Sequence, residues 1–437
     1  MSEKDSAIGK IAEKLTDEKA LEAILPAEDS KEAVGLRKAA GIFDSARKVI
    51  ASASALVVTA GGLWLGIYHL VDSSSAKPAA AATVGASGSA SGAPTPTPSP
   101  SASALPPPPA AVGIPTRVAT WLLPTGDSVE SSATIVGGAL YVGSDDFNVY
   151  AVVTSTGHVI WSATTGGRVR ARPAYSAGYV YVASTDHKIY ALNATTGKRR
   201  WSYPTGGELD AAPAVSGGLV YAASLDHKLY AVTTAGKLKW KVTTKGKIYS
   251  APVVSGGVVY VGSDDGSLYA FNAKTGKKIW SHSTGGPVES HVVVSGGNVY
   301  FGSEDHYVYA VKASTGHLVW KYRTGSKVTG SAAISGGVLY IGGTDHNVYA
   351  LATATGKQVW RRPTSGEVHS TPVVSAAVVY VGSRDGSLYA IDAKSGAVLW
   401  TAPTGDWVDS SPAVSAGLVF IGSDSNDLYA VKTAPTN

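Results

Sequence analysis

Cysteine is absent from all 437 residues. Its absence excludes structural disulfides, thiolate metal sites, cysteine nucleophiles and a lipid-modified cysteine anchor. The compartment is left open, because an exported protein can fold without disulfides. Charge is also sparse: Asp, Glu, Lys and Arg make up 16% of the chain, against about a quarter in ordinary globular proteins. The net charge is +5 and no Lys/Arg-rich run stands out, so no nucleic-acid partner is expected. There is no HExxH and no phosphate-binding glycine loop, which removes the commonest zinc-protease and P-loop chemistries. The chain is instead rich in glycine, with 50 residues, and in tyrosine, with 22, at a hydrophobic content of 44%. That mixture suits many short strands joined by tight turns.

The chain divides into four zones. Residues 1–48 are charged; Ile8, Ile11 and Leu15, then Leu21, Ile24 and Leu25, share helical faces before Pro26, so a cytoplasmic helical tail is expected. Residues 49–71, VIASASALVVTAGGLWLGIYHLV, carry no Asp, Glu, Lys or Arg. As a helix they would run about 35 Å, enough for one membrane span. Arg37, Lys38, Arg47 and Lys48 precede this segment, which places the N-terminus inside the cytoplasmic membrane and the bulk of the chain outside. Residues 72–117 contain APTPTPSPS and LPPPP. They cannot bury enough apolar surface to fold, and their prolines favour an extended stalk that could reach on the order of 140 Å.

Residues 118–437 repeat. Trp recurs at 121, 161, 201, 240, 280, 320, 360 and 400, and an aromatic recurs at Tyr141, Tyr181, Tyr221, Tyr260, Tyr300, Tyr340, Tyr380 and Phe420. A fixed period near 40 residues means a solenoid, a propeller or an array. No apolar 3.6-residue period persists, so helical repeats are excluded. Within one unit, YSAPVV, VVYVGS, SLYAFNA and KKIWSHS are β-like runs separated by SGG, DDG and KTG turns, with Gly257, Gly266 and Gly276 placed for positive φ. Four antiparallel strands per unit define a propeller blade. The first Trp strand precedes eight sets of three strands, and no Trp strand follows the last. The expected fold is therefore all-β: an eight-bladed β-propeller closed by its N-terminal strand, which protects every sheet edge at the closing seam.

The segments NAKTGKKIW (272–280), NATTGKRRW (193–201) and DAKSGAVLW (392–400) resemble the tryptophan-docking repeat of PQQ-like propellers. The resemblance implies that Trp121, Trp161, Trp201, Trp240, Trp280, Trp320, Trp360 and Trp400 pack between neighbouring blades. Quinoprotein dehydrogenases of that family carry a vicinal cysteine pair beside the cofactor and a calcium held by Glu, Asn and Asp. This chain has no cysteine and only short links between blades, so the resemblance is to the non-catalytic branch, BamB-like scaffolds and sensor-like propellers. BamB-like proteins are lipoproteins, whereas this chain would use an apolar helix as its anchor.

Two sets of residues are candidate sites. Asp186-His187, Asp226-His227, Asp305-His306 and Asp345-His346 look like metal chemistry, but Asp265-Gly266 and Asp385-Gly386 occupy the same repeat position. A position shared by His and Gly is a left-handed turn position, so these pairs are read as turns, and no metal site is expected. The links between blades vary more. Glu130, Arg170, Asp210, Tyr249, Glu289, Thr329, His369 and Asp409 follow a buried-type Val, Leu or Ile, while Ser128, Arg168, Glu208, Lys247, Pro287, Lys327, Glu367 and Trp407 precede it. In a propeller these links rim the central channel. They form either a tolerant wet rim or a ligand cup, with Arg168, Arg170 and Arg172 on one side, carboxylates elsewhere and Trp407 as an aromatic platform. The expected function is a membrane-anchored, extracytoplasmic scaffold or sensor that binds a protein or cell-envelope ligand, without catalysis and without a cofactor. Alternatives are a minimal PQQ- and calcium-dependent dehydrogenase, or a receptor relaying a ligand signal to a cytoplasmic partner through residues 1–48.

Overall fold

The computed structural model describes residues 114–433. The expected helical tail (1–48), membrane span (49–71) and most of the stalk (72–117) lie outside the described residues. No helix among the described residues is long and apolar enough to cross a membrane. The described chain is all-β: strands β1 to β32, numbered along the chain, make eight four-stranded antiparallel sheets.

One blade shows how the repeat folds. β14 (Val253–Ser255), β15 (Val258–Ser263), β16 (Ser267–Asn272) and β17 (Lys278–Ser283) pair in chain order. Tyr260 lies opposite Ala270, and Ala270 opposite Trp280. The first strand is shorter than YSAPVV suggests. Its leading residues bond sideways to the next blade instead of along the ladder: the Ser250 hydroxyl donates to the Ser290 carbonyl at 2.9 Å. First strands of neighbouring blades also touch one another, as β10 (Ala214–Ser216) does β14, so they form the innermost layer of the wheel.

The wheel closes as the strand count requires. β1 (Trp121–Pro124) pairs antiparallel with β32 (Asp427–Lys432), and the sheet continues through β31 (Leu418–Gly422) to β30 (Ala413–Ser415). Leu123 is buried there among Val129, Phe420 and Leu428. Contact with the wheel begins ahead of β1. Thr116 forms a parallel bridge with Thr401, and the Arg117 guanidinium lies 4.6 Å from the Trp400 ring centre.

Each blade is fastened to the next by the repeated Trp. In seven blades the indole N–H donates across the seam to a backbone carbonyl at 2.8–3.1 Å, Trp121 to Thr154 and Trp360 to Ala393 among them. In five of these seams a Tyr hydroxyl donates to that same carbonyl at 3.0–3.4 Å. The glycine of the Thr-Gly turn is what lets the ring approach. Gly316 has φ +73, and a Cβ there would sit 2.6 Å from the Trp280 indole. Each seam therefore combines apolar burial, a satisfied indole N–H and a turn that only glycine fits.

Two stability tests follow from these seams. Deleting residues 118–124 should lower the Tm by more than about 5 °C, because it strips β32 of its partner and uncovers Phe420. Gly316→Ala should cost about 1–3 kcal/mol in chemical denaturation. Gly256→Ala should cost less, about 1 kcal/mol from its positive φ alone, since a Cβ there meets nothing within 4 Å and Ala177 occupies the equivalent turn at φ 47.

Candidate functional site at the channel mouth

The mouth is built by two sets of loops that hold each other. The link between blades carries an apolar residue that is fully buried in every blade: Val129, Val169, Leu209, Ile248, Val288, Val328, Val368 and Val408. It packs against a small residue on the second strand. A Cβ on Gly262 would come within 2.2 Å of the Val288 carbonyl oxygen, so the link seats deeply only where that position is small. With this apolar residue turned inward, its two neighbours are turned out to the mouth. The residue after it, from Glu130 round to Asp409, is half-buried in all eight blades.

The second set is the hairpin turn between the second and third strands. Its aspartate is a structural anchor: Asp265 accepts from the Tyr269 hydroxyl at 2.8 Å and from the Lys245 N–H at 2.8 Å. The residue after the aspartate has a left-handed backbone. His187, His227, His306 and His346 have φ 63 to 73, beside Gly266 and Gly386 at 77 and 78. Among the described residues no three His, Asp or Glu side chains converge on a metal position.

The residue before that aspartate lies at the mouth, and sequence reasoning missed it. Asp145, Asp264, Glu304 and Arg384 occupy it, as does Asp424 in the last blade, where Ser425 replaces the aspartate, and their turns bond directly to the blade links. The Asp145 N–H donates to the Ser128 carbonyl at 2.9 Å, and the Asp424 N–H to the Trp407 carbonyl at 2.9 Å. The signal was present in the sequence, because this position varies while Ser before it and Asp after it recur.

Of the expected arginine cluster, the structure brings Arg168 and Arg170 together on Asp145 and sets Arg172 apart. Arg170 is locked by Asp145, with bonds of 2.8 and 3.1 Å, and lies 3.4 Å from Glu130. Arg168 is half-exposed, 3.6 Å from Asp145. Arg172 belongs to a deeper layer of the channel. The other side of the mouth holds a continuous network. Arg384 donates to Asp409 at 2.7 Å and to Glu367 at 3.1 Å, Glu367 pairs with His369 at 2.9 Å, and the His369 ring meets the Thr329 hydroxyl at 2.9 Å. Trp407 is 49% exposed, and the Arg384 guanidinium stacks 4.7 Å from its ring centre. Its aromatic face is therefore presented, already cation-loaded, at the rim.

Acid dominates the mouth. Glu130, Glu208, Asp210, Glu289, Glu367 and Asp409 on the links, with Asp145, Asp264, Glu304 and Asp424 on the turns, face only Arg168, Arg170, Lys247, Lys327 and Arg384. The chain as a whole has the opposite balance, 37 Lys and Arg against 32 Asp and Glu. The crowding shows in the titration. Burial pushes Glu130 up to about 7, with Arg170 only partly opposing it. Burial, then Glu304 and Asp264, pushes Glu289 up to about 7. Burial, then Asp409 and Asp406, pushes Asp424 up to about 6. One carboxylate oxygen each of Asp210, Asp264 and Asp424 is enclosed without a hydrogen bond.

An eight-bladed ring with tryptophan-sealed blades defines a PQQ-like propeller. The chain belongs to the family described as outer membrane protein assembly factor BamB, whose profile matches residues 110–212, 204–329 and 304–435. Among solved structures it is similar to BamB from Moraxella catarrhalis, at 16% identity, covering 72% of this chain and 99% of that one with a TM-score of 0.64. It is equally similar to the computationally designed Ika8 protein, at 16% identity, 73% and 100% coverage and a TM-score of 0.65. A europium-containing methanol dehydrogenase also matches, at 16% identity, 70% and 84% coverage and a TM-score of 0.61. At such identity these likenesses show the fold alone. No curated protein sequence matches the chain. The donor set does not suit a PQQ–calcium pair: there is no thiol pair, and no three carboxylate or imidazole groups converge among the described residues.

The raised carboxylates set a pH dependence. A carboxyl whose folded pKa is raised stabilises the fold below its unfolded value and loses that contribution as pH rises through the folded value. For Glu130 and Glu289 the loss falls between about pH 4.5 and 7. Glu289→Gln should therefore flatten the decline in Tm between pH 5 and pH 8 and raise the Tm at pH 8 by about 1–3 °C. An unchanged pH profile would contradict the assignment.

Proposed function

We propose that this protein is a membrane-anchored, extracytoplasmic scaffold, not an enzyme, whose channel mouth docks a protein partner through a segment bearing Lys or Arg. The observation that carries the reading is the acid excess of the mouth on an otherwise basic chain, together with its raised carboxylates and enclosed carboxylate oxygens. A partner ammonium or guanidinium placed there would relieve the like-charge crowding, while the half-exposed Trp407 offers apolar contact at the rim. Family membership supports a scaffold role, since the family is named for an outer-membrane assembly factor. The apolar run 49–71 and the Pro-rich stretch after it support an anchored domain held away from its membrane.

Docking of this kind has a signature. Because a partner cation favours the ionised carboxylates, affinity should rise from pH 5 to pH 8 and fall with added salt. A photo-crosslinking residue at position 407 of the full-length protein, expressed in its native host, should yield a defined adduct. The same residue at position 279 on the outer strand should not, and Asp424→Lys combined with Glu289→Lys should abolish the adduct at 407. Cross-linking at 279 alone would place the docking surface on the outer edge and overturn the reading. The adduct should sediment with membranes through an alkaline wash. Full-length protein given PQQ and calcium should reduce no dye; turnover there would replace the scaffold reading with the dehydrogenase one.

A further inference from the structure

The first strands alternate, so every second residue from the link faces the lumen. Three layers follow in depth. The outermost is the charged mouth ring that begins at Glu130. The second, two residues on, consists of Ala, Ser and Thr in six blades, and is broken by Arg172 and His291 in the other two. The third, from Ala174 to Ala413, is alanine or valine in seven blades and Thr134 in the eighth, all half-buried.

Hydrogen bonds between blades fix the second layer. The His291 N–H donates to Ser331 Oγ at 2.8 Å, and the Ser411 N–H to Ser132 Oγ at 2.8 Å. Arg172 is held differently from the other arginines. Its Nε donates to Thr134 Oγ1 at 3.0 Å, and the Thr134 hydroxyl in turn donates to the Pro173 carbonyl at 2.5 Å. That bond draws the guanidinium down toward the alanine and valine layer and fixes its orientation, while the side chain stays open to the lumen. Among the described residues no carboxylate pairs with Arg172, whereas Arg170 and Arg384 are each chelated by one. Burial alone perturbs Arg172, and no acid offsets it. Its positive charge acts on His291, three blades round the ring. Burial and that charge together hold the His291 imidazole near 4, so it is neutral at pH 7 and has one N–H to give.

We propose that this second layer is a receptor for the carboxylate of a small organic monoacid. Arg172 takes both carboxylate oxygens through Nη1 and Nη2, His291 donates its imidazole N–H, and the short apolar tail of the acid rests on the alanine and valine layer. A guanidinium with its Nε already committed presents its two terminal nitrogens in the geometry of a bidentate carboxylate bond. One fixed positive charge beside a neutral imidazole matches one negative charge, and an apolar floor disfavours a doubly charged phosphate. The site lies below the mouth and does not depend on the docking reading.

The test uses the full-length protein and four probes at matched ionic strength: butyrate, acetate, inorganic phosphate and chloride. Butyrate should raise the Tm saturably and acetate less so, with phosphate no better than chloride. Arg172→Met should weaken butyrate binding by at least about tenfold. Without ligand its Tm should stay within about 2 °C of that of the native protein, because the side chain is open to the lumen and no acid loses a partner. Arg172→Lys keeps the charge but not the fork, and should also weaken binding by about tenfold. If Arg172→Met fails to fold, Arg172→Lys decides. Arg172→Met should keep the cross-link from position 407, so failure of this site and failure of the docking face are distinguishable. No saturable response to butyrate, an equal response to phosphate, or unaltered affinity in the Arg172 variants would each overturn the proposal.

Discussion

The wheel depends on a contact of a few atoms repeated round the ring: an indole laid flat on a glycine of the next blade, its N–H given to a carbonyl one residue or so upstream of that turn. The glycine at φ near +70 allows the approach, the carbonyl satisfies the indole, and a tyrosine from the same blade as the indole often shares the acceptor. The core clusters join buried side chains of neighbouring blades, and no tryptophan seam can slip without losing several bonds together. Everything at the mouth inherits its position from this lock. The links can be short, and their polar residues can vary, because the blades beneath them are already fixed.

That division explains how much was legible in the sequence. The fold was, because the indole, its glycine and the turn aspartate are chemically demanding and must recur in every unit. Gly276 and Trp240 announce one another at a fixed distance along the chain. Strand closure was equally legible, since Trp121 stands one strand ahead of the first complete set. The short first strands were less so, because Ser250 spends its hydrogen bond sideways, and no pattern of hydropathy reports a bond to another blade.

The site was only half legible. Varying link residues pointed to the mouth, and Trp407 stood out of register. Spacing by two along one link suggested that Arg168, Arg170 and Arg172 act as one cluster. Yet two residues along a first strand is one layer in depth, so the same spacing set Arg172 below the other two. Asp145 holds both Arg168 and Arg170, while Thr134 draws Arg172 down into the lumen. His291 was invisible for the complementary reason: its companion Arg172 lies well over a hundred residues away, and only the closed ring places them in one layer. Charge partners set by curvature of the whole wheel leave no local trace in the chain.

β1 carries a consequence for how this molecule is made. It is the earliest strand of the wheel to be synthesised and the last to find its place, since its only ladder partner, β32, ends at Lys432. Seven blades can assemble one after another as the chain emerges, each leaning on its predecessor. The eighth cannot, and the ring stays an open arc until β32 has arrived. During that interval a four-residue apolar strand waits with its edge bare, so the incomplete chain is the form of this protein most open to pairing with the wrong strand.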